Sequence, residues 1–263
     1  MTEVRKGARS VAAVTPEIRR GLSDGTLATM SLSEQFCVDF PTLMKAAAQD
    51  LPKDLLAAVE AAESLGIVRR MAFCGAMLQG HYGNAGLERF LRHPSDTVRG
   101  WACYAIGTAE KLTLNKRLEA IRPLADDPHF GVREWAWIAL RPAIAEDVEL
   151  AAKLLLPWAK LKTLNLRRYA VEILRCRGVW TFHIQALKDR PELALAHLDH
   201  NKADGSKYVQ DSVANYLNDA AKSKPDWVRG IVAAWRKSPV PATERICGRA
   251  LRSLNQHIPP SLE

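Results

Sequence analysis

Apolar and small residues return at a fixed helical phase along most of this chain. Five segments superimpose on one another: VRRMAFCGA from Val68, VRGWACYAI from Val98, VREWAWIAL from Val132, LRRYAVEIL from Leu166 and VQDSVANYL from Val209. A sixth, ICGRALRSL from Ile246, fits more loosely. Successive anchors are 30, 34, 34, 43 and 37 residues apart. In every copy the anchor and the residues four and eight later are apolar or small, as in Val132, Ala136 and Leu140, which is one face of a helix. Turn chemistry that also starts helices precedes two copies, His-Pro-Ser-Asp before Val98 and Asp-Asp-Pro-His before Val132. No sustained alternation of polar and β-branched residues occurs, so an all-α chain is predicted.

A helix pair that repeats at this period, with Val-Arg opening its second helix, is the HEAT-like signature. It predicts helix pairs stacked into a curved α-solenoid around a concave basic groove. The 43-residue interval is expected to hold an extra turn around Gly178 and an insert near AHLDHNKADGSK. The first 30 residues lack the repeat and read as a flexible basic arm carrying Arg5, Lys6, Arg9, Arg19 and Arg20. Residues 31–254 are expected to form one cooperative domain and 255–263 a tail.

Composition narrows the classes of function. With 48% hydrophobic residues over 263 positions the chain is too apolar to be wholly disordered. The formal net charge of +8 makes a polyanion the leading partner, with nucleic acid ahead of a membrane surface. No stretch approaches the ~20 apolar residues of a membrane span, and the N-terminus has charges without an apolar secretory core. The five cysteines are scattered with no CxxC, which suits buried thiols in a reducing cytoplasm. His197 and His200 have no third ligand at metal spacing, and no Gly-rich phosphate loop is present, so neither a metal nor a nucleotide cofactor is expected.

The face opposite the anchors carries the unusual chemistry. Residues two, six and ten past the anchor include Glu134, then Arg168 and Glu172, then Asp211, Asn215 and Asp219. Eight basic residues stand between Lys160 and Arg190, with only Glu172 and Asp189 to interrupt them. Carboxylates kept in a basic surface cost affinity for phosphate, and that tension hints at catalysis. Each of these features has a duller reading. Arg99, Arg133 and Arg167, one past the anchor, read better as ladder arginines pairing with acids such as Asp96 or Asp127 than as DNA ligands. Trp135, Trp137 and Trp158 read better as helix packing. Glu172 could pair with Arg168 or Arg175 at helical spacing, and Asn218-Asp219 could be a satisfied helix end.

The segments DDPHFGVREWAWIALRP, NLRRYAVEILRCRGVW and SKYVQDSVANYLNDAAK resemble the HEAT-like DNA alkylation repair glycosylases, nearer the AlkC branch than the AlkD branch. The similarity runs from about Leu32 to about Leu254. It implies a base-excision enzyme, without cofactor, that hydrolyses the N-glycosidic bond of small cationic adducts in double-stranded DNA, 3-methyladenine foremost. Some relatives carry a further C-terminal β-sandwich, for which the sequence to Glu263 leaves no room. The resemblance assigns Glu172, Asp219 and Glu134 to catalysis, as carboxylates that stabilise an oxocarbenium-like sugar and position water. It assigns Trp180 to stacking on the lesion or sugar and Arg168, Arg175 and Arg177 to phosphates, with Asp211 and Trp135 as further DNA-facing residues and Asp211 alternatively a helix brace. A cytoplasmic monomer is expected. A non-catalytic nucleic-acid-binding module and a protein-interaction scaffold are the rival readings.

Overall fold

The computed structural model describes residues 5–237 and 240–255, and every regular element among them is helical. The chain divides into two compact units, Met1–Leu140 and Arg141–Glu263. Of the expected 255–263 tail, residues 256–263 lie outside the described residues.

In the first unit the helices begin where side chains can accept orphan backbone N–H groups. Thr15 caps Pro16–Ser23, Asp39 caps Phe40–Ala47 and Thr113 caps Leu114–Ala125. Residues 5–30, read as a flexible arm, bond to residues beyond them. Arg5 pairs with the fully buried Glu34 at 2.7 Å, and Glu34 also accepts from the Ala8 and Met30 N–H groups at 2.9 and 2.7 Å. Thr29 donates its N–H and Oγ1 to Asp96 at 2.8 and 2.7 Å, and Val14 and Leu22 are buried. The anchoring acids lie outside the segment, so its own composition could not show that it is held.

The repeat stripe is core where it was read as core. Val98, Ala102 and Ile106 are buried, as are Val132, Ala136 and Leu140. The first copy departs, with Val68 half-buried and Ala76 exposed. That helix, Ile67–Gly86, buries Met71, Cys74, Gly75 and Leu78 instead. At Gly75 it closes on the helix Asp96–Gly107 so tightly that a Cβ would stand 2.3 Å from Tyr104 Cβ and 2.7 Å from the Trp101 carbonyl oxygen. Gly75→Ala is therefore expected to lower stability by about 1–3 kcal/mol through overpacking, read as a lower urea midpoint at unchanged m-value.

Ladder arginines link the copies. Arg99 meets Asp127 at 2.8 Å and donates to the His93 and Pro94 carbonyls just before its own helix. Arg133 repeats the second half of that pattern on the Asp127 and Pro128 carbonyls. In the second unit Arg167 pairs with Asp204 at 2.6 Å and donates to the Leu161 and Lys162 carbonyls. Asp96, read as a ladder acid, instead holds Thr29.

The second unit keeps the stripe in Leu166, Ala170 and Leu174 and in Val209, Val213 and Leu217. The long interval holds a loop after Leu164–Glu172, a short helix Gln185–Asp189, a 3-10 turn Pro191–Ala194 and the helix Leu195–Asn201. The AHLDHN part of the expected insert is thus helical. All five cysteines are buried free thiols, and burial pushes Cys74 up to about 12.

Candidate functional site

Two adjacent helices of the second unit, Leu164–Glu172 and Lys207–Ala221, bring two acids to one guanidinium. Glu172 is the last residue of the first helix and Asp219 lies in the last turn of the second. Both positions were expected to lie away from the core. Because the helices pack on each other, those positions meet between them, and the acids are only 4% and 7% exposed. Arg175, three residues past Glu172, bridges them. Its Nη1 donates to Glu172 Oε1, while Nη2 and Nε donate to Asp219 Oδ2 at 2.7 and 3.0 Å. Ser212 donates its hydroxyl to Glu172 Oε2. Arg168 stands 3.7 Å from that same oxygen, with its guanidinium 4.4 Å over the Tyr208 ring. Asp219 Oδ1 takes no part in the bridge, and its cation is the half-exposed Lys222 at 3.6 Å.

The electrostatics keep Glu172 and Arg175 charged. Burial alone would raise the Glu172 carboxyl, but Arg168, Arg175 and the Ser212 hydrogen bond outweigh it and hold the group below its ordinary value of 4.5. Glu172 is therefore ionised at neutral pH and has no proton to give. Arg175 is desolvated yet bound more firmly to its proton by the two carboxylates.

The backbone around the cluster is fixed from below. Arg141 is fully buried and donates to the carbonyls of Ile173 at 3.1 Å, Arg175 at 2.6 Å and Phe182 at 3.2 Å. It thus satisfies carbonyls that the end of the Leu164–Glu172 helix leaves open. Burial, and then Arg175, lowers its proton affinity to about 10, so it stays cationic. Arg177 donates to the Asp219 carbonyl at 3.3 Å and to Ser223 Oγ at 2.8 Å.

Of the sequence-predicted residues, the structure joins Glu172, Asp219, Arg168, Arg175 and Arg177 in this cluster. Arg175, expected on phosphate, lies at its centre with its guanidinium on the two carboxylates. Asp211 pairs with Arg245 at 2.7 Å and Arg249 at 3.3 Å. Trp180 stands 46% exposed on the loop past Arg177. Glu134 belongs to the first unit, where it accepts from the Trp137 indole N–H at 2.7 Å. Trp135 is buried there beside Tyr104, ring centroids 6.1 Å apart.

Sequence reasoning missed Ser212 and Arg141. Ser212 had a legible signal: it stands three past its anchor, where the other four closely matching copies carry Met71, Trp101, Trp135 and Tyr169. A hydroxyl at a core position asks for a buried partner. Arg141 follows a buried stripe without any such cue. His197 is buried and pushed down to about 4 by desolvation, hence neutral, while His200 is exposed. Among the described residues no three His, Cys, Asp or Glu side chains group as metal ligands, and no helix is long and apolar enough to cross a membrane.

No protein-family profile matches the chain. An uncharacterized protein of Bacillus subtilis (strain 168), YhaZ, is 35% identical over 136 residues, 52% of this chain and 37% of that protein. Among solved structures, the Pseudomonas fluorescens alkylpurine DNA glycosylase AlkC, bound to DNA containing an abasic site analog, superposes with a TM-score of 0.68 at 24% identity. That match covers 95% of this chain and 66% of AlkC. AlkD2 from Streptococcus mutans gives a TM-score of 0.57 at 21% identity, over 90% of this chain and 96% of that one. The protein smu.31 from Streptococcus mutans UA159 gives 0.59 at 23%, over 75% and 96%. This chain therefore spans about a third of its curated relative's length and just under two thirds of AlkC's. The likenesses show the fold, the helical repeat that the sequence pattern and the resemblance both implied.

Proposed function

We propose that this protein is a DNA glycosylase that hydrolyses the N-glycosidic bond of cationic alkylated purines, 3-methyladenine-type lesions foremost, in double-stranded DNA. The observation that carries the reading is the convergence of Glu172 and Asp219 on Arg175, with Asp219 Oδ1 outside the bridge. The AlkC likeness supports it, as does the net charge of +8.

A methylated purine cation leaves as a neutral base. The C1′–N bond breaks with its electron pair going to the base, and the sugar becomes oxocarbenium-like. Such a leaving group needs no proton, and an ionised Glu172 offers none. What remains is to favour positive charge at C1′ and to orient water. In this reading Asp219 Oδ1 takes the water proton as the C1′–O bond forms, and Glu172 supplies fixed negative charge and sets Arg175. Arg168 and Arg177 meet phosphates beside the lesion, and Trp180 stacks on the exposed base or sugar. Glu134 enters as a third carboxylate from its place two past Val132 and from the resemblance, and the reading does not depend on it.

Methylated duplex DNA is the test, with bases released by the protein separated by chromatography and binding followed in parallel at low salt. Release of 3-methyladenine above the spontaneous rate is expected. Binding without release would make the protein a nucleic-acid-binding repeat module. Indifference to DNA at low salt would make it a scaffold.

A further inference from the structure

One feature of the second unit lies outside this chemistry. After Cys176 the chain makes a short excursion whose neck is tied, with Ile184 N–H bonded to the Cys176 carbonyl at 3.0 Å. The buried Arg141 guanidinium holds the same excursion through the Phe182 carbonyl and lies 5.9 Å from the Phe182 ring centroid. A loop anchored this firmly nevertheless presents apolar side chains to solvent: Val179 is 81% exposed and Phe182 49%, on either side of Trp180 and Thr181. Exposed apolar side chains concentrated at a braced tip signal a partner that buries them.

The surroundings say which kind. Arg177 lies at the neck and is fastened to Asp219, and Lys188 follows on the next helix. His183 is held below its ordinary value by desolvation and then by Lys188, Arg177 and Arg141, the mark of a locally cationic field. A cationic rim around an apolar tip complements a phosphate backbone around base faces.

Resting on the glycosylase reading, we infer that Val179 and Phe182 are a wedge that enters the DNA base stack beside the lesion and holds the duplex open over the Arg175 cluster. The neck ties the wedge to the cluster: Arg175 and Arg177 both bind Asp219 and immediately flank Cys176. Unstacking a base step costs a few kcal/mol, and a rigid apolar tip offsets that cost by burying its own surface. Val179 and Phe182 are thus positioning residues, acting on DNA shape and not on the sugar.

The test uses the full chain and a duplex in which 2-aminopurine adjoins a tetrahydrofuran abasic analogue, so that unstacking is read as fluorescence. Wild-type protein at saturation is expected to brighten the probe. The double variant Val179→Ser, Phe182→Ser, with an unchanged circular-dichroism melt, is expected to lose at least half of that gain. The variant is also expected to release 3-methyladenine about tenfold more slowly from paired duplex. From a lesion placed in a two-nucleotide bulge, already unstacked, the loss is expected to shrink to about threefold or less. Full brightening by the variant, or an equal loss on duplex and bulge, overturns the wedge while leaving the glycosylase intact. A wild-type protein that binds neither DNA and releases no base overturns the glycosylase reading and the wedge together.

Discussion

Asp219→Asn is expected to slow single-turnover release of 3-methyladenine about 10²–10³-fold, the usual cost of removing one preorganised charge from a reacting centre. The amide keeps the shape of the carboxylate, and its oxygen still accepts from Arg175 Nη2 and Nε, so the bridge across the two helices survives. What is lost is the negative oxygen outside the bridge, the one proposed to take the water proton. Glu172→Gln removes a charge engaged on both oxygens, by Arg175 on one and by Ser212 on the other. It is expected to cost less, about tenfold. The order of the two effects matters more than their size, because it follows directly from which oxygen the bridge leaves out. Affinity for a tetrahydrofuran duplex is expected to stay within about threefold in both variants, since neither carboxylate holds phosphate. A larger loss with Glu172→Gln than with Asp219→Asn would reverse the assigned roles.

The largest expected stability effect is at Arg175. Arg175→Met leaves two buried carboxylates without their shared guanidinium, and stranding buried charge costs about 3–5 kcal/mol. The pH dependence identifies the cause. In the wild type Glu172 has a folded value below 4.5, so its contribution is complete above that ordinary value and is lost as pH falls through the lower folded one. Without Arg175 only Arg168 and Ser212 oppose burial at Glu172, so its carboxyl takes protons more readily than in the wild type and acidification relieves the strain. The variant's deficit is therefore expected to shrink as pH falls from 8 toward the carboxylate range, measured by urea unfolding across that range. A deficit independent of pH would mean that Arg175 acts only by packing.

The fold was legible because burying a stripe on each of a run of helices leaves a mark at a fixed period. Val98, Val132, Leu166, Val209 and Ile246 all prove fully or nearly fully buried. The same logic failed at Val68, where the helix turns a different face inward to let Gly75 approach its neighbour. It is silent over residues 5–30, whose fastening to Glu34 and Asp96 is a matter of distant charges that no local pattern records. For the site, periodicity placed Glu172 and Asp219 on one face but could not say that the neighbouring helix covers that face. Nor could it say that Arg175, expected on phosphate, turns inward to serve both acids. Arg167 behaved as read, pairing with the acid Asp204 ahead of the next copy as well as with two carbonyls just before its own helix.

The most direct measurement is single-turnover release of labelled 3-methyladenine from methylnitrosourea-treated duplex, comparing the wild type with the double carboxamide variant Glu172→Gln, Asp219→Asn at equal DNA occupancy. The wild type is predicted to release the base well above the spontaneous rate and the double variant no faster than that rate. Release by the double variant at the wild-type rate, or none by the wild type once bound, would contradict the assignment of catalysis to these two carboxylates.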